Sequence, residues 1–125
     1  MENFPLKEES YQIIGACMEV HNILGHGFLE IVYKDAIEYE LRKKMIECNR
    51  EKEYDIPYKD IILSHKFYAD FVVFDKIILE VKAAEGGTSD EFISQTLNYL
   101  KVSHCKVGLI VNFARAKLEY KRLVF

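Results

Sequence analysis

The sequence predicts an α/β fold in which helices flank a mixed β-sheet, with the elements in the order ααβββαββ. Two amphipathic helical patterns come first. A segment rich in β-branched and aromatic residues follows, and a helix-capping sequence separates it from two further apolar runs. The chain has 125 residues, of which 50% are hydrophobic and 30% charged. This size and composition are typical of one globular domain, which we expect to span residues 1–125.

The first two predicted elements are helices. Apolar residues recur at helical spacing from residue 8 to residue 24, and we expect Gly25 or Gly27 to end this helix. The segment "FLEIVYKDAIEYELRKKMI" predicts a second helix from Phe28 to about Ile46. It has an apolar stripe, and its last turns gather Lys and Arg, which interact favourably with the helix dipole.

The remaining elements are predicted to be three strands, a helix and two strands. "EYDIPY" is expected to be a short edge strand because Pro57 cannot donate a ladder hydrogen bond, and "KDIILSHKFYADFVVF" and "IILEVKA" are the next two. "TSDE" fits a capping box, with Thr88 as N-cap and Glu91 three residues on, and opens a helix through about Val102. "CKVGLIVNF" is typical of a strand covered on both faces, and "LEYKRLVF" is the last strand.

The N-terminus and the cysteines indicate the cellular compartment. "MENFPLKEES" is polar and acidic, unlike a signal peptide, and no apolar run approaches the roughly 20 residues that span a bilayer. Cys17, Cys48 and Cys105 are far apart and form no CxxC pair, which disfavours a disulfide framework or a zinc site. We therefore expect a cytoplasmic protein with reduced thiols and no membrane partner.

The net charge of −3 is unevenly distributed along the chain. Residues 1–100 contain 11 Lys and Arg against 19 Asp and Glu, whereas residues 101–125 contain 6 against 1. A polyanion would therefore bind locally, at the C-terminal segment. The alternative is a solvated basic edge without a partner.

Three charged residues, Asp70, Glu80 and Lys82, lie among the apolar residues of "FYADFVVFDKIILEVKA". Glu80 and Lys82 are two apart, so they project from the same face of their strand. A two-residue hairpin turn would place Asp70 opposite Val81, whereas a three-residue loop at 74–76, or a bulge, would place it opposite Glu80. We expect the second arrangement, as a consequence of the functional interpretation below.

Two opposed carboxylates would have Cβ atoms about 5 Å apart, close enough to hold one divalent cation. Without a cation they would repel each other, and one would tend to keep a proton. An all-oxygen site favours Mg²⁺ or Mn²⁺ over Zn²⁺. Lys82 would then orient or deprotonate a water, or stabilise charge on a phosphate oxygen. The alternative is a structural Asp–Glu–Lys cluster at the edge of the sheet.

Four segments agree in order and spacing with a known family: "GFLEIVY", which matches GxxExxY, then "ADFVVFDKIILEVKA", "ISQTLNYL" and "KVGLIVNF". From about Ile13 to Phe125 the chain resembles the GxxExxY protein family, which belongs to the PD-(D/E)XK, or restriction-endonuclease-like, nuclease superfamily. The resemblance implies a restriction-endonuclease-like α/β core.

The resemblance also implies roles for particular residues. Asp70 and Glu80 would be metal ligands, with the backbone carbonyl of Val81 as a further ligand, and Lys82 would be the catalytic lysine. Glu30 would be the acidic residue that the superfamily often contributes from a preceding helix. Glu30 has an alternative role, since a glutamate in the first turn of a helix interacts favourably with the dipole.

Three further side chains are assigned from their helical positions. Gln95 matches the family helix that follows the Glu-x-Lys strand and would hold a water or a phosphate. Tyr99, four residues on, is expected in the core. His21 lies on the apolar stripe of the first helix, where we expect a buried histidine with satisfied hydrogen bonds rather than a ligand.

These observations favour a nuclease-like phosphodiesterase that uses Mg²⁺ (or Mn²⁺) and a metal-activated water to hydrolyse nucleic acid, DNA in preference to RNA. Such a nuclease requires that the basic C-terminal segment, and either Lys66 or Lys101, lie beside Asp70. A homodimer would bring two such sites to one duplex. One alternative is a catalytically silent nuclease-fold binding or assembly module, which requires an exposed apolar patch. The other is a small-phosphate hydrolase, which requires a closed pocket.

Overall fold

The computed structural model describes residues 4–125, so residues 1–3 of the predicted domain lie outside it. The helices are α1 (Lys7–Leu24), α2 (Glu30–Lys43) and α3 (Asp90–Ser103). The strands are β1 (Cys48–Tyr54), β2 (Pro57–Tyr58), β3 (Ile61–Ile62), β4 (Phe67–Val73), β5 (Ile77–Lys82), β6 (Val107–Asn112) and β7 (Glu119–Val124).

Five strands form one mixed sheet in the order β1-β4-β5-β6-β7. The pair β5 and β6 is parallel and is connected through α3, whereas every other neighbouring pair is antiparallel. The short strands β2 and β3 form a separate antiparallel hairpin. The predicted α/β class, with helices flanking a mixed sheet, is confirmed.

The two faces of the sheet are covered by different helices. On one face, the buried residues of α1 and α2 pack with odd-numbered strand residues such as Phe71 and Leu79. On the other face, Tyr99 and Leu100 of α3 pack with Ile78. Every residue of β6 is buried, as its apolar run predicted.

Several boundaries differ from the prediction. The structure has five strands before α3, because "KDIILSHKFYADFVVF" is divided into β3 and β4, and because "CNREKEY" forms β1. β1 is an edge strand whose middle residues face solvent, so it lacks an apolar alternation. The second helix is shorter than predicted at both ends. The N-cap of α3 is Ser89 and not Thr88, because the Ser89 hydroxyl accepts a hydrogen bond from the Phe92 amide at 3.2 Å.

The loop between β4 and β5 determines the register of the two strands. Val73 pairs with Ile77, which leaves the three residues 74–76 as the loop. Phe74 and Asp75 both adopt φ of 58°, and the Lys76 amide closes the turn on the Val73 carbonyl at 3.1 Å. The predicted three-residue loop is therefore confirmed, and it brings Asp70 and Glu80 to facing positions.

No helix within residues 4–125 is both long enough and apolar enough to cross a membrane.

Gly108 on β6 allows α3 to approach the sheet closely. A Cβ atom at this position would lie 2.9 Å from Cγ2 of Thr96 and 3.3 Å from Cδ1 of Leu100. The Thr96 methyl cannot turn away freely, because its hydroxyl donates a hydrogen bond to the Phe92 carbonyl at 2.9 Å. We expect Gly108→Ala to lower the free energy of unfolding by about 1–3 kcal/mol, measured by urea denaturation.

The matched control is Gly15→Ala, at an exposed position of α1, where the added methyl has no neighbour within 4 Å apart from the adjacent residues and the nearby backbone of the helix itself. This change should raise the free energy of unfolding by about 0.5–1 kcal/mol, because alanine loses less backbone entropy in a helix. Equal stability of Gly108→Ala and the wild type would contradict the close approach of α3.

Candidate active site

The carboxylates of Asp70 and Glu80 replace backbone hydrogen bonds where β4 and β5 separate. The last pair in the ladder between these strands is Phe71 with Leu79. In the next row, the Asp70 amide donates to Oε2 of Glu80 and the Val81 amide donates to Oδ2 of Asp70, both at 2.8 Å. The two side chains are therefore fixed between the strands. We call this pair of carboxylates, Asp70 and Glu80, the fork.

The regular alternation of β4 breaks at Asp70. Residues two apart in a strand normally lie on one face, yet Ala69 packs on the α3 side whereas Phe71 packs on the side of α1 and α2. Glu51, which faces Asp70 in the register of β1 and β4, has φ of 55°. This left-handed conformation costs a non-glycine residue about 1–2 kcal/mol. Both strands thus depart from regular geometry at the row that contains the candidate site.

The ammonium of Lys82 lies on the α3 side of the same fork. Its Nζ is 4.0 Å from Oε1 of Glu80 and donates a hydrogen bond to Oε1 of Gln95 at 3.1 Å. It also lies 4.9 Å from the centre of the Phe92 ring, a cation–π distance. Gln95 therefore orients the Lys82 side chain, and these two predicted site residues are in contact.

The Gly27, Glu30 and Tyr33 pattern builds the turn that begins α2. Gly27 adopts φ of 106°, which favours glycine. The fully buried Tyr33 donates its hydroxyl to the Gly25 carbonyl at 2.7 Å and accepts the Phe28 amide at 3.2 Å. Its ring stacks on that of Phe113 at 4.4 Å. The tyrosine thus anchors the turn, and Glu30 becomes the first residue of α2.

Glu30 shares the electrostatic environment of the fork. Its pKa is raised, first by burial and then by the negative charge of Asp70, while the charges of Lys82 and Lys34 act in the opposite direction. The carboxylate is only partly buried. Glu30 therefore interacts electrostatically with the charges of the fork from the first turn of α2, where it also interacts favourably with the helix dipole.

Lys34 and Glu51 belong to the same cluster, and sequence analysis missed both. Nζ of Lys34 donates to Oδ1 of Asp70 at 3.0 Å and also contacts Oε1 of Glu51. Lys34 is only 7% exposed. The available signal for Lys34 was its position four residues after Glu30, on the same helical face. Glu51 gave no signal, because the sequence pattern assigns residues 47–52 to no helix or strand.

The fork fits a hard divalent cation in the chemistry of its donors. Asp70 and Glu80 are 8% and 1% exposed, respectively, and both offer carboxylate oxygens. Burial, and then the charge of Asp70, raise the pKa of Glu80 to about 8, so the negative charge of the pair is incompletely compensated. Within residues 4–125, no group of three or more His, Cys, Asp or Glu side chains is arranged to hold a metal ion. The carboxylate of Glu51 is turned to Lys34 instead.

The two side chains that were expected to be structural are buried. His21 is 6% exposed, its Nε2 is 2.8 Å from the Arg115 carbonyl, and its ring lies against Phe113. Tyr99 is also 6% exposed and packs edge-on against Phe67. The predicted burial of both side chains is confirmed.

Comparison with known proteins identifies the class of this fold. The family model described as the PD-(D/E)XK nuclease superfamily matches residues 7–123, so the chain belongs to that superfamily. No curated protein matches the sequence.

The crystal structure of SSO0001 superposes with a TM-score of 0.60 and 17% sequence identity, over 95% of this chain and 58% of that one. At this identity the likeness shows the fold alone. The chain spans less than two thirds of the length of SSO0001.

Glu80→Gln removes a buried charge but keeps an oxygen that can accept the Asp70 amide. The raised pKa means that ionised Glu80 opposes folding, increasingly as the pH rises from the ordinary glutamate value to about 8. In EDTA at pH 7, we expect Glu80→Gln to raise the free energy of unfolding by roughly 1–3 kcal/mol. The gain should disappear below about pH 4, where the carboxyl is protonated in both states.

Glu53→Gln is the control for this substitution, because Glu53 is exposed on β1 and lies 3.6 Å from Lys66. Its effect should stay below about 0.5 kcal/mol in the same urea titrations. A Glu80→Gln protein that is less stable than the wild type at pH 7 would contradict an uncompensated charge in the fork.

Proposed function

We propose that this protein is a metal-dependent nuclease that hydrolyses phosphodiester bonds of nucleic acid. The observation that supports this most directly is the pair of opposed, buried carboxylates of Asp70 and Glu80, with Lys82 beside them. Mg²⁺ or Mn²⁺ suits such oxygen donors, and when bound it would supply a Lewis acid that activates water and offsets phosphate charge.

Each residue of the candidate site has a role in this proposal. Asp70 and Glu80 would hold the cation, together with the backbone carbonyl of Val81. Lys82 stabilises the charge that develops on the phosphate, and Gln95 keeps its ammonium directed toward the fork. Glu30, at the first turn of α2, completes the acidic set or accepts a proton from the attacking water.

Part of the basic C-terminal segment lies in the row of the candidate site. Glu80 pairs with Ile110, which pairs with Lys121 on β7, so Lys121 is two strands away from Glu80. Strand spacing puts their backbones about 10 Å apart. Lys66 is instead paired with Asp55 at 2.5 Å and Glu53 at 3.6 Å. We therefore propose that β7 meets the phosphate backbone. DNA is the proposed nucleic acid, and a homodimer would bring two sites to one duplex.

A nuclease-fold binding module is the second candidate. The hairpin of β2 and β3 exposes Tyr58, Ile61 and Ile62, each to 54% or more, and these apolar side chains suit a protein partner. A hydrolase of small phosphates would use the same carboxylates. The assay below separates the three functions.

The test combines metal binding with cleavage. Calorimetric titration of Mg²⁺ and Mn²⁺ into the wild type should show binding, and Asp70→Asn and Glu80→Gln should both lose it. The wild type should cleave DNA in a panel of labelled single- and double-stranded DNA and RNA. Lys82→Met should still bind the cation but cleave about 100-fold or more slowly, because it loses only the stabilisation of developing charge.

Glu53→Gln serves again as the control and should retain both activities. Cation binding with hydrolysis of small phosphates alone would favour the small-phosphate hydrolase. A folded wild type that binds no cation would exclude the metal-dependent mechanism and favour the binding module.

A further inference from the structure

Lys34 is a buried ammonium that none of the proposed catalytic steps uses. It reaches from α2 to Oδ1 of Asp70 at 3.0 Å and also contacts the Glu51 carboxylate on the neighbouring strand. A lysine that is only 7% exposed is rarely tolerated unless its charge is paired. The charge of Lys34 is paired with both of these carboxylates.

The local backbone is arranged to make this contact. Glu51 adopts a left-handed conformation in the middle of β1, and the alternation of β4 breaks at Asp70. Strain of this kind persists only where the surroundings enforce it. Both irregularities occur in the one row that Lys34 bridges, so the ammonium belongs to the construction of the fork.

The formal charges of the cluster indicate how much additional positive charge it can accept. Three carboxylates, those of Glu51, Asp70 and Glu80, lie within 4.0 Å of two ammonium groups, those of Lys34 and Lys82. When all five groups are ionised, the net charge is −1, and one divalent cation is enough to offset it. Without Lys34 the charge would be −2.

We propose that Lys34 is the resident counter-ion of the site: it takes the place of a second cation between Asp70 and Glu51, so that the protein binds a single divalent ion. Lys34 is thus a positioning residue that competes with the divalent ion for Asp70. The inference rests on the proposed metal-dependent function and adds its stoichiometry.

The proposal predicts opposite effects of one substitution on stability and on metal affinity. Lys34→Met leaves the buried Asp70 carboxylate and the half-exposed Glu51 carboxylate without their cation, so the metal-free protein should melt at a lower temperature. The same loss removes a positive charge and a competitor, so Mn²⁺ should bind about tenfold or more tightly than to the wild type. A merely structural lysine would lower stability without tightening the binding of Mn²⁺.

The experiment is calorimetric titration of Mn²⁺ into EDTA-stripped full-length protein, with melting curves in parallel. The wild type should bind one ion per chain. In Glu51→Gln, Lys34 keeps its ion pair with Asp70 and loses the one with Glu51, so this variant should bind Mn²⁺ about tenfold more weakly. The variant remains informative if Lys34→Met does not fold. Lys66→Met, with the same change of net charge at an exposed pair, should stay within about twofold of the wild type.

Two ions per wild-type chain, or unchanged or weaker binding by Lys34→Met, would overturn the inference. Unchanged or tighter binding by Glu51→Gln would also overturn it. If the variants behave as expected but no polymer is cleaved, the counter-ion role of Lys34 is confirmed and the nuclease proposal fails. If Lys34→Met binds Mn²⁺ and the wild type does not, Lys34 blocks the site and the metal-dependent proposal fails. If neither binds it, both fail.

Discussion

The hydrogen bonds that the carboxylates of Asp70 and Glu80 accept across the two strands are the constraint on which the rest of the site depends. Each carboxylate accepts a backbone amide from the facing strand, so both are held at the point where β4 leaves β5. Because these bonds replace a ladder pair, they stabilise the fork and fix the carboxylates at the same time. Side chains on freely rotating loops would not be held with comparable precision.

The helices complete the fork from opposite sides of the sheet. α2 contributes Glu30 and Lys34, four residues apart on one helical face, and α3 contributes Gln95. The anchoring of Tyr33 on the Gly25 carbonyl determines where α2 begins. The GxxExxY pattern therefore has a direct structural purpose, since its glycine and tyrosine place its glutamate.

A cluster of buried charges of this kind opposes folding unless the surroundings compensate for it. The apolar core beneath the sheet supplies that stability, and two ammonium groups offset part of the negative charge. The remaining imbalance is seen in the raised pKa of Glu80. At the proposed metal site, the buried negative charge that would attract a cation thus lowers the stability of the metal-free fold, as is common at functional sites.

The sequence by itself predicted the fold class from its periodic patterns, and the superfamily from its resemblance to a known family. Local spacing allowed a two-residue or a three-residue turn between the strands, and the functional interpretation chose the turn that makes Asp70 face Glu80. It also indicated that His21 and Tyr99 are buried. Only the tertiary structure decided that Lys34 and Glu51 join the site, since they meet Asp70 through packing of α2 and a distorted edge strand. Contacts between distant elements leave no periodic signal in a sequence.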